Sequence, residues 1–181
     1  MKSCVLLLVG YMLISAAGKA QLPRPADEIL KQACSEAAKE KKNVFVIFHA
    51  SWCGWCKKMD TAMNDQSLKR FFLDNYVIRH LVVYESKGKE NLENPGALEL
   101  LKKYKGEDQG IPYWFIFDND GKLLADSKLR PEGGGLETGD NTGCPASEKE
   151  VAYFLKVLKE TSALKEAELT IIQKRFRENE N

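Results

Sequence analysis

The sequence predicts an α/β fold in which a central mixed β-sheet carries helices on both faces. Three observations lead to that reading. Segments with helical periodicity alternate with short apolar runs, the order in which crossover helices link parallel strands. The run NVFVIFHA at 43–50 is apolar, β-branched and aromatic throughout, as in a strand buried on both faces. Late in the chain, DNDG at 118–121 is a strong hairpin signal that turns YWFIF back into KLLADS and adds an antiparallel part.

The chain has 181 residues, a length for one domain. Its 44% hydrophobic and 29% charged content is that of a soluble globular protein with enough apolar side chains for a core. The formal net charge is +1, and no basic stretch is interleaved with aromatics, which argues against a nucleic-acid partner. The first residues differ from the rest. Lys2 precedes an apolar run from Cys4 to Ala17, followed by the small residues Ala16, Ala17, Gly18 and Ala20 and then by polar, proline-containing sequence. This is the pattern of a secretory signal peptide over 1–20, cleaved after Ala20 or Gly18. An uncleaved membrane anchor is the alternative, although the run is short of the roughly 20 residues that a span needs. The chain is therefore expected to be exported, periplasmic or secreted, with 21–25 a short linker.

The elements follow in order. Residues 26–42 place Ile29, Leu30, Ala33, Ala37 and Ala38 at helical spacing, with Asp27 and Glu28 at the start and Lys39–Lys42 at the end, matching the helix dipole. Strand 43–50 comes next. From Cys53 to about Asn75 the chain reads as helix, with Asn64–Ser67 as a point of interruption. YVIRHLVVYES at 76–86 is a second strand, 87–96 a polar loop, and Ala97–Tyr104 a short helix. YWFIF at 113–117 and KLLADS at 122–127 form the hairpin. Residues 129–146 hold five glycines and two prolines and read as a long surface loop, of a kind that is often functional. Ser147 with Glu150 forms a capping box for a last helix with Val151, Phe154, Leu155 and Leu158 on its apolar face. From Ala163 the same helix is expected to run on through Leu169, Ile172 and Phe176, docking on the body.

The chemistry lies in WCGWC at 52–56. A Cys-x-x-Cys pair opening a helix puts Cys53 at the positive end of the dipole, beside unpaired backbone N–H groups. Its thiolate is favoured there, and its pKa is expected below the free value of about 8.5. Lys57 and Lys58, one turn on, add positive charge. The division of labour is then Cys53 as outward nucleophile and Cys56 as the inner, resolving thiol. Gly54 leaves room for a partner's backbone and Trp55 offers it a flat apolar surface. Two alternatives stand beside this. A zinc site needs four ligands, usually in two close pairs, and no second Cys-x-x-Cys exists. An inert bridge across two residues gains little loop entropy.

A buried strand, then ASWCGWCKKM opening a helix, then Gly110-Ile111-Pro112 before a strand–turn–strand and a last helix, resembles the thioredoxin superfamily over residues 26–162. It is most similar to exported bacterial thioredoxin-like proteins with a WCxWCKxM-type motif. The resemblance implies a thioredoxin-like fold, with Trp52, Cys53, Gly54, Trp55 and Cys56 as the active-site turn. It also implies a cis peptide before Pro112 and an Ile111 backbone that pairs with an extended substrate. The chain departs from the family pattern at four places. Ile47 stands where many relatives bury an aspartate that serves the resolving cysteine. His49 stands where an aromatic is common, either to tune the cysteines by charge or simply to pack. Trp55 replaces a proline. The family's first strand has no counterpart between 21 and 25.

Export removes Cys4 and leaves Cys34, Cys53, Cys56 and Cys144. Cys34 is expected as a buried apolar cysteine. Cys144, in a loop expected to pass near Cys53, is a third redox thiol or a bridge partner for Cys34, and Glu132, Glu137 and Asp140 solvate that loop. The expected function is an exported thiol–disulfide oxidoreductase that reduces or isomerises disulfides in other exported proteins. It would use no metal or organic cofactor, and its electrons would come from a thiol protein, membrane-borne or otherwise. A non-catalytic thioredoxin-like binding module and a disulfide-donating oxidase are the rival readings. Residues 163–181 form a C-terminal helical extension.

Overall fold

A computed structural model describes residues 22–180 of the chain; the expected signal peptide and its cleavage point lie outside them. The elements run α1 (Ala26–Glu40), β1 (Asn43–His49), α2 (Gly54–Met63), α3 (Lys69–Asn75), β2 (Tyr76–Val82), α4 (Ala97–Lys103), β3 (Tyr113–Phe117), β4 (Leu123–Asp126), β5 (Lys128–Leu129), β6 (Asp140–Asn141), α5 (Glu148–Thr161) and α6 (Glu166–Arg177). The main sheet has the order β2-β1-β3-β4. β1 pairs parallel with β2 and antiparallel with β3, and β3 pairs antiparallel with β4. This is the mixed, helix-covered sheet that the sequence predicts. Among the described residues no strand precedes α1, and no helix is long and apolar enough to cross a membrane.

Strand alternation divides the core in two. Val44, Val46 and Phe48 of β1, with Tyr113, Phe115 and Phe117 of β3, pack against Ala33 and Ala37 of α1 and Ala97 and Leu101 of α4. Phe45, Ile47, Trp114 and Ile116 face the other way, onto Met59, Ala62 and Met63 of α2 and Val151, Phe154 and Leu158 of α5. β1 and β3 are thus buried on both sides, and they hold the disulfide-bearing turn on a rigid floor.

The expected interruption falls after Met63. Asp65 accepts from both the backbone N–H (2.9 Å) and the hydroxyl (2.6 Å) of Ser67, so the side chain competes with the helix for its donors. The capping box at the start of α5 is present, with Ser147 and Glu150 exchanging bonds.

Two expectations are corrected. The last helix does not run on. Ser162 is extended (φ −147°), and Glu168 reaches back to the Lys165 N–H at 2.7 Å to start α6 separately. Docking on the body does hold, since Leu169, Ile172 and Phe176 are buried with Phe72 and Phe154 in the second half of the core.

The glycine-rich segment 129–146 is not simply a surface loop. β5 and β6 pair within it, and Thr142, Cys144 and Ala146 are buried. It is anchored by Arg130, which donates to both carboxylate oxygens of the buried Asp126 at 2.6 Å. Lys128, also buried, donates from Nζ to the carbonyls of Leu136 (2.9 Å) and Lys105 (3.2 Å). Glu132, Glu137 and Asp140 face solvent as expected.

Candidate active site

β1 ends at His49, and the chain turns over Ala50–Trp52 into α2. Cys53 is the N-cap of that helix: its N–H donates to the Ala50 carbonyl at 3.1 Å, and its Sγ accepts the Cys56 N–H at 3.1 Å. The sulfur therefore takes one of the orphan donors of the first helical turn, the position expected to favour a thiolate. Cys53 and Cys56 are joined in a disulfide, with Cα atoms 5.3 Å apart.

The turn is fixed from outside. Ser51 donates its N–H and hydroxyl to the Glu85 carboxylate at 2.6 and 2.8 Å, and Trp52 Nε1 donates to the Tyr84 carbonyl at 2.8 Å. The Ser51 N–H bond, with Ser51's hydroxyl adding to it, holds the Glu85 carboxyl below its usual range. Trp52 and Trp55 are 55% and 49% exposed, so large apolar surface flanks the cysteines. Lys58 Nζ stands 4.6 Å from the Trp55 ring centroid and donates to the Asn179 carbonyl at 3.1 Å. Beyond Gly54 the space is open, in keeping with the room a partner's backbone would need.

Across from the turn, Ile111–Pro112 is a cis peptide, as the resemblance implies. The Ile111 carbonyl oxygen is 3.6 Å from Cys53 Sγ, and Ile111 packs on Ala50, Cys53 and Cys56. The Asn141 amide of β6 donates to the carbonyls of Pro112 (3.0 Å) and Gln109 (3.1 Å), so the 129–146 segment does reach the site. A groove lies between Trp55, Ile111–Pro112 and Asn141–Cys144.

One expectation about the cysteines is corrected: Cys53 is not the more exposed of the two. They are 2% and 3% exposed in the disulfide, because Ile111 and Ala50 cover both. What separates them is their surroundings. Cys53 sits at the helix N-terminus facing Ile111, and Cys56 sits on the inner face of α2. Among the described residues the other two cysteines, Cys34 and Cys144, are free and unbridged. Cys34 is only half-buried, against the α1 side of the sheet near the Asp118 carbonyl. Cys144 is buried in the opposite half of the core, where it accepts from the Asn179 amide at 3.4 Å. Burial pushes the Cys144 thiol up to about 12.

His49 packs edge-on against His80, with ring centroids 5.2 Å apart, and His80 Nε2 lies 2.8 Å from Asp60 Oδ1. Burial first, and His80 second, push the His49 imidazole below its ordinary value. Sequence reading missed Glu85, Asn141, Asn179 and the Asp60–His80 pair. Only Asp60 had a readable signal, its place four residues after Cys56. Among the described residues no three His, Cys, Asp or Glu side chains group as metal ligands.

A mixed sheet with a helix-capping Cys-x-x-Cys disulfide defines a thioredoxin-like oxidoreductase fold. The chain belongs to the thioredoxin-like family, whose sequence profile matches residues 27–119. Among solved structures it is similar to a disulphide isomerase from Xylella fastidiosa Temecula1, at 22% identity and a TM-score of 0.46, covering 60% of this chain and 80% of that one. It is also similar to a DsbH oxidoreductase at 23% identity and a TM-score of 0.44, covering 87% and 95% of the two chains. The oxidised C-terminal domain of Neisseria meningitidis DsbD is 20% identical with a TM-score of 0.44, covering 77% and 98%. No curated protein sequence matches the chain.

Proposed function

We propose that the protein is an exported thiol–disulfide oxidoreductase that reduces or isomerises disulfides in other exported proteins. The observation that carries this reading is the Cys53–Cys56 pair at the N-terminus of α2, with Cys53 Sγ taking the Cys56 N–H and facing the Ile111 carbonyl.

In the reduced protein the Cys53 thiolate attacks a substrate disulfide. A Cys53–substrate bond forms, the substrate S–S bond breaks, and one substrate sulfur leaves as thiol. Cys56 then attacks Cys53, closing the internal disulfide and releasing the second substrate sulfur. Two electrons pass to the substrate, and a thiol protein, membrane-borne or soluble, returns them. The step moves electrons between sulfurs alone and calls for no metal or organic cofactor. Trp52, Gly54 and Trp55 offer the contact surface, and the Ile111 backbone beside Pro112 receives the extended substrate segment. In this reading residues 1–20 are a cleaved leader, 21–25 a linker and 26–162 the catalytic domain, with 163–181 docked on it.

A Cys56→Ser variant tests the proposal. It should accumulate mixed disulfides with exported proteins through Cys53, and a Cys53→Ser control should not. If the trap yields no adduct on Cys53 when the protein is supplied reduced, the proposal is wrong. The reduction potential sets the direction. A value near about −270 mV goes with reduction, and one near about −120 mV with disulfide donation.

A further inference from the structure

We propose that Asn179, in the C-terminal turn, is a positioning residue that holds both walls of the groove beside Cys53 and so sets how tightly an extended peptide segment binds there. The inference rests on the exchange reading of the two cysteines. It adds a binding determinant outside residues 27–119, the part of the chain that the family profile matches.

Chain ends fray unless something ties them down. After α6 the backbone makes one more tight helical turn, Glu178–Glu180, and Asn179 within it is only 5% exposed. A buried amide is tolerated when its polar atoms are partnered, and those of Asn179 are. Nδ2 donates to Cys144 Sγ at 3.4 Å and to the Pro145 carbonyl at 3.3 Å. Oδ1 accepts from Arg175 Nη1 at 3.3 Å, which closes the turn onto α6. The main-chain carbonyl accepts from Lys58 Nζ of α2 at 3.1 Å.

These bonds lead to opposite walls of one groove. The first wall is Trp55. Lys58 follows it by three residues on α2, which puts the two side chains on one face of the helix, and Lys58 Nζ stands 4.6 Å from the indole centroid. The Asn179 carbonyl therefore fixes a cation over the half-exposed ring. The second wall is Asn141–Cys144 with Ala146, opposite Ile111 and Pro112. Asn141 donates to the Pro112 carbonyl, and a Cβ on Gly143 would come within 3.4 Å of the same oxygen, so this stretch is seated closely on Pro112. The residues that follow are held by the C-terminal turn, through the Asn179 amide and through Arg177, which donates to the Ala146 carbonyl.

Cys53 Sγ faces the Ile111 carbonyl at 3.6 Å. A peptide whose sulfur reaches Cys53 beside Ile111 then meets Trp55 on one side and the Asn141–Cys144 backbone on the other. Walls already fixed in the free protein spare the ordering that binding otherwise costs. The ionic contacts of the turn serve the turn itself. Arg175 pairs with Asp65 and Glu178 at 3.4 and 3.8 Å, and Arg177 pairs with Glu180 at 2.6 Å. The link between the walls is left to Asn179, which alone bonds to both Lys58 and the Cys144–Pro145 stretch.

The test uses the reduced protein and a short alanine-rich peptide whose cysteine is a mixed disulfide with thionitrobenzoate. The Cys53 thiolate bonds to the peptide sulfur, the peptide–nitrobenzoate S–S bond breaks, and the coloured thiolate leaves with the electron pair as the better leaving group. The rate of colour release against peptide concentration gives a half-saturation concentration and a limiting rate. Asn179→Ala should raise the half-saturation concentration about 10-fold, the effect of about one hydrogen bond, and change the limiting rate by less than about twofold. Lys58→Met keeps an apolar stem beside Trp55 and loses the bond to the Asn179 carbonyl, and it should raise the half-saturation concentration too. Thr161→Ala is the stability control. It removes the bond between the Tyr76 and Thr161 hydroxyls (2.8 Å) at the far end of α5 and should leave both constants as in the wild type. A wild-type half-saturation concentration in Asn179→Ala would overturn the proposal. So would an equal rise in Thr161→Ala, which marks general loosening. If Asn179→Ala does not fold, Asn179→Asp, of the same shape but without the amide donors, takes its place with the same two outcomes. Failure of the wild-type protein to form the peptide adduct on Cys53 overturns the exchange reading itself, and the inference with it.

Discussion

The side-chain amide of Asn141 donates to the carbonyl of Pro112 at 3.0 Å, and this bond ties the β5–β6 ribbon to the segment that faces Cys53. The same amide also serves Gln109, so one side chain holds both ends of the stretch that carries Ile111. Asn141→Ala should cost about 1 kcal/mol of stability, the usual value of a hydrogen bond, measured by urea denaturation. It should also raise KM for a peptide disulfide more than it lowers kcat. Unchanged kinetics would mean that the ribbon does not position the site.

Much of this architecture was legible in sequence because it is local. The apolar runs at 43–50 and 113–117, the Ser147–Glu150 capping box and the break at Asn64–Ser67 each depend on a few neighbouring residues, and each is present. The Cys-x-x-Cys turn was legible for the same reason, whereas Pro112 was legible only through the resemblance to the family. The ribbon within 129–146 was not, because glycines and prolines dominate that stretch. What orders it is the Asp126–Arg130 pair and the burial of Lys128 against Lys105 and Leu136. The equal burial of Cys53 and Cys56 was also hidden, since it comes from Ile111, 55 residues or more away in the chain.

The buried pair of Asp126 and Arg130 makes its own prediction. Asp126's side chain is 1% exposed and Arg130's 17%, so removing the cation strands a carboxylate away from water. Arg130→Ala should destabilise the protein by about 3–5 kcal/mol in urea denaturation. A double variant, Asp126→Asn with Arg130→Ala, should be less destabilised than the single one if the stranded charge is the cause.

Stability should depend on pH through His49. Its folded value lies below its ordinary value of 6.5, so between the two the unfolded chain binds more protons than the folded one. The contribution is complete above the ordinary value and is lost as pH falls through that window. Thermal midpoints measured across it should fall with decreasing pH in the wild type, and less steeply in His49→Gln. Parallel curves for the two proteins would contradict this assignment.

Cys144 should be inert in the folded protein. Its thiol is buried, pushed up to about 12, and bonded by the Asn179 amide. Maleimide near neutral pH should leave the Cys144 peptide unmodified until the protein is unfolded, as read by mass. Asn179→Ala should accelerate its labelling by freeing the segment from the C-terminal turn. Rapid native labelling would instead return Cys144 to the list of redox thiols.

In the proposed exchange, the N-terminus of α2 makes Cys53 the nucleophile of the pair. The direct measurement is the rate of iodoacetamide alkylation of Cys53 and of Cys56 in the reduced protein as a function of pH. The Cys53 midpoint should lie below the free thiol value of about 8.5, with Cys56 modified far more slowly throughout. A Cys53 midpoint at or above that value, or alkylation of Cys56 ahead of Cys53, would contradict it.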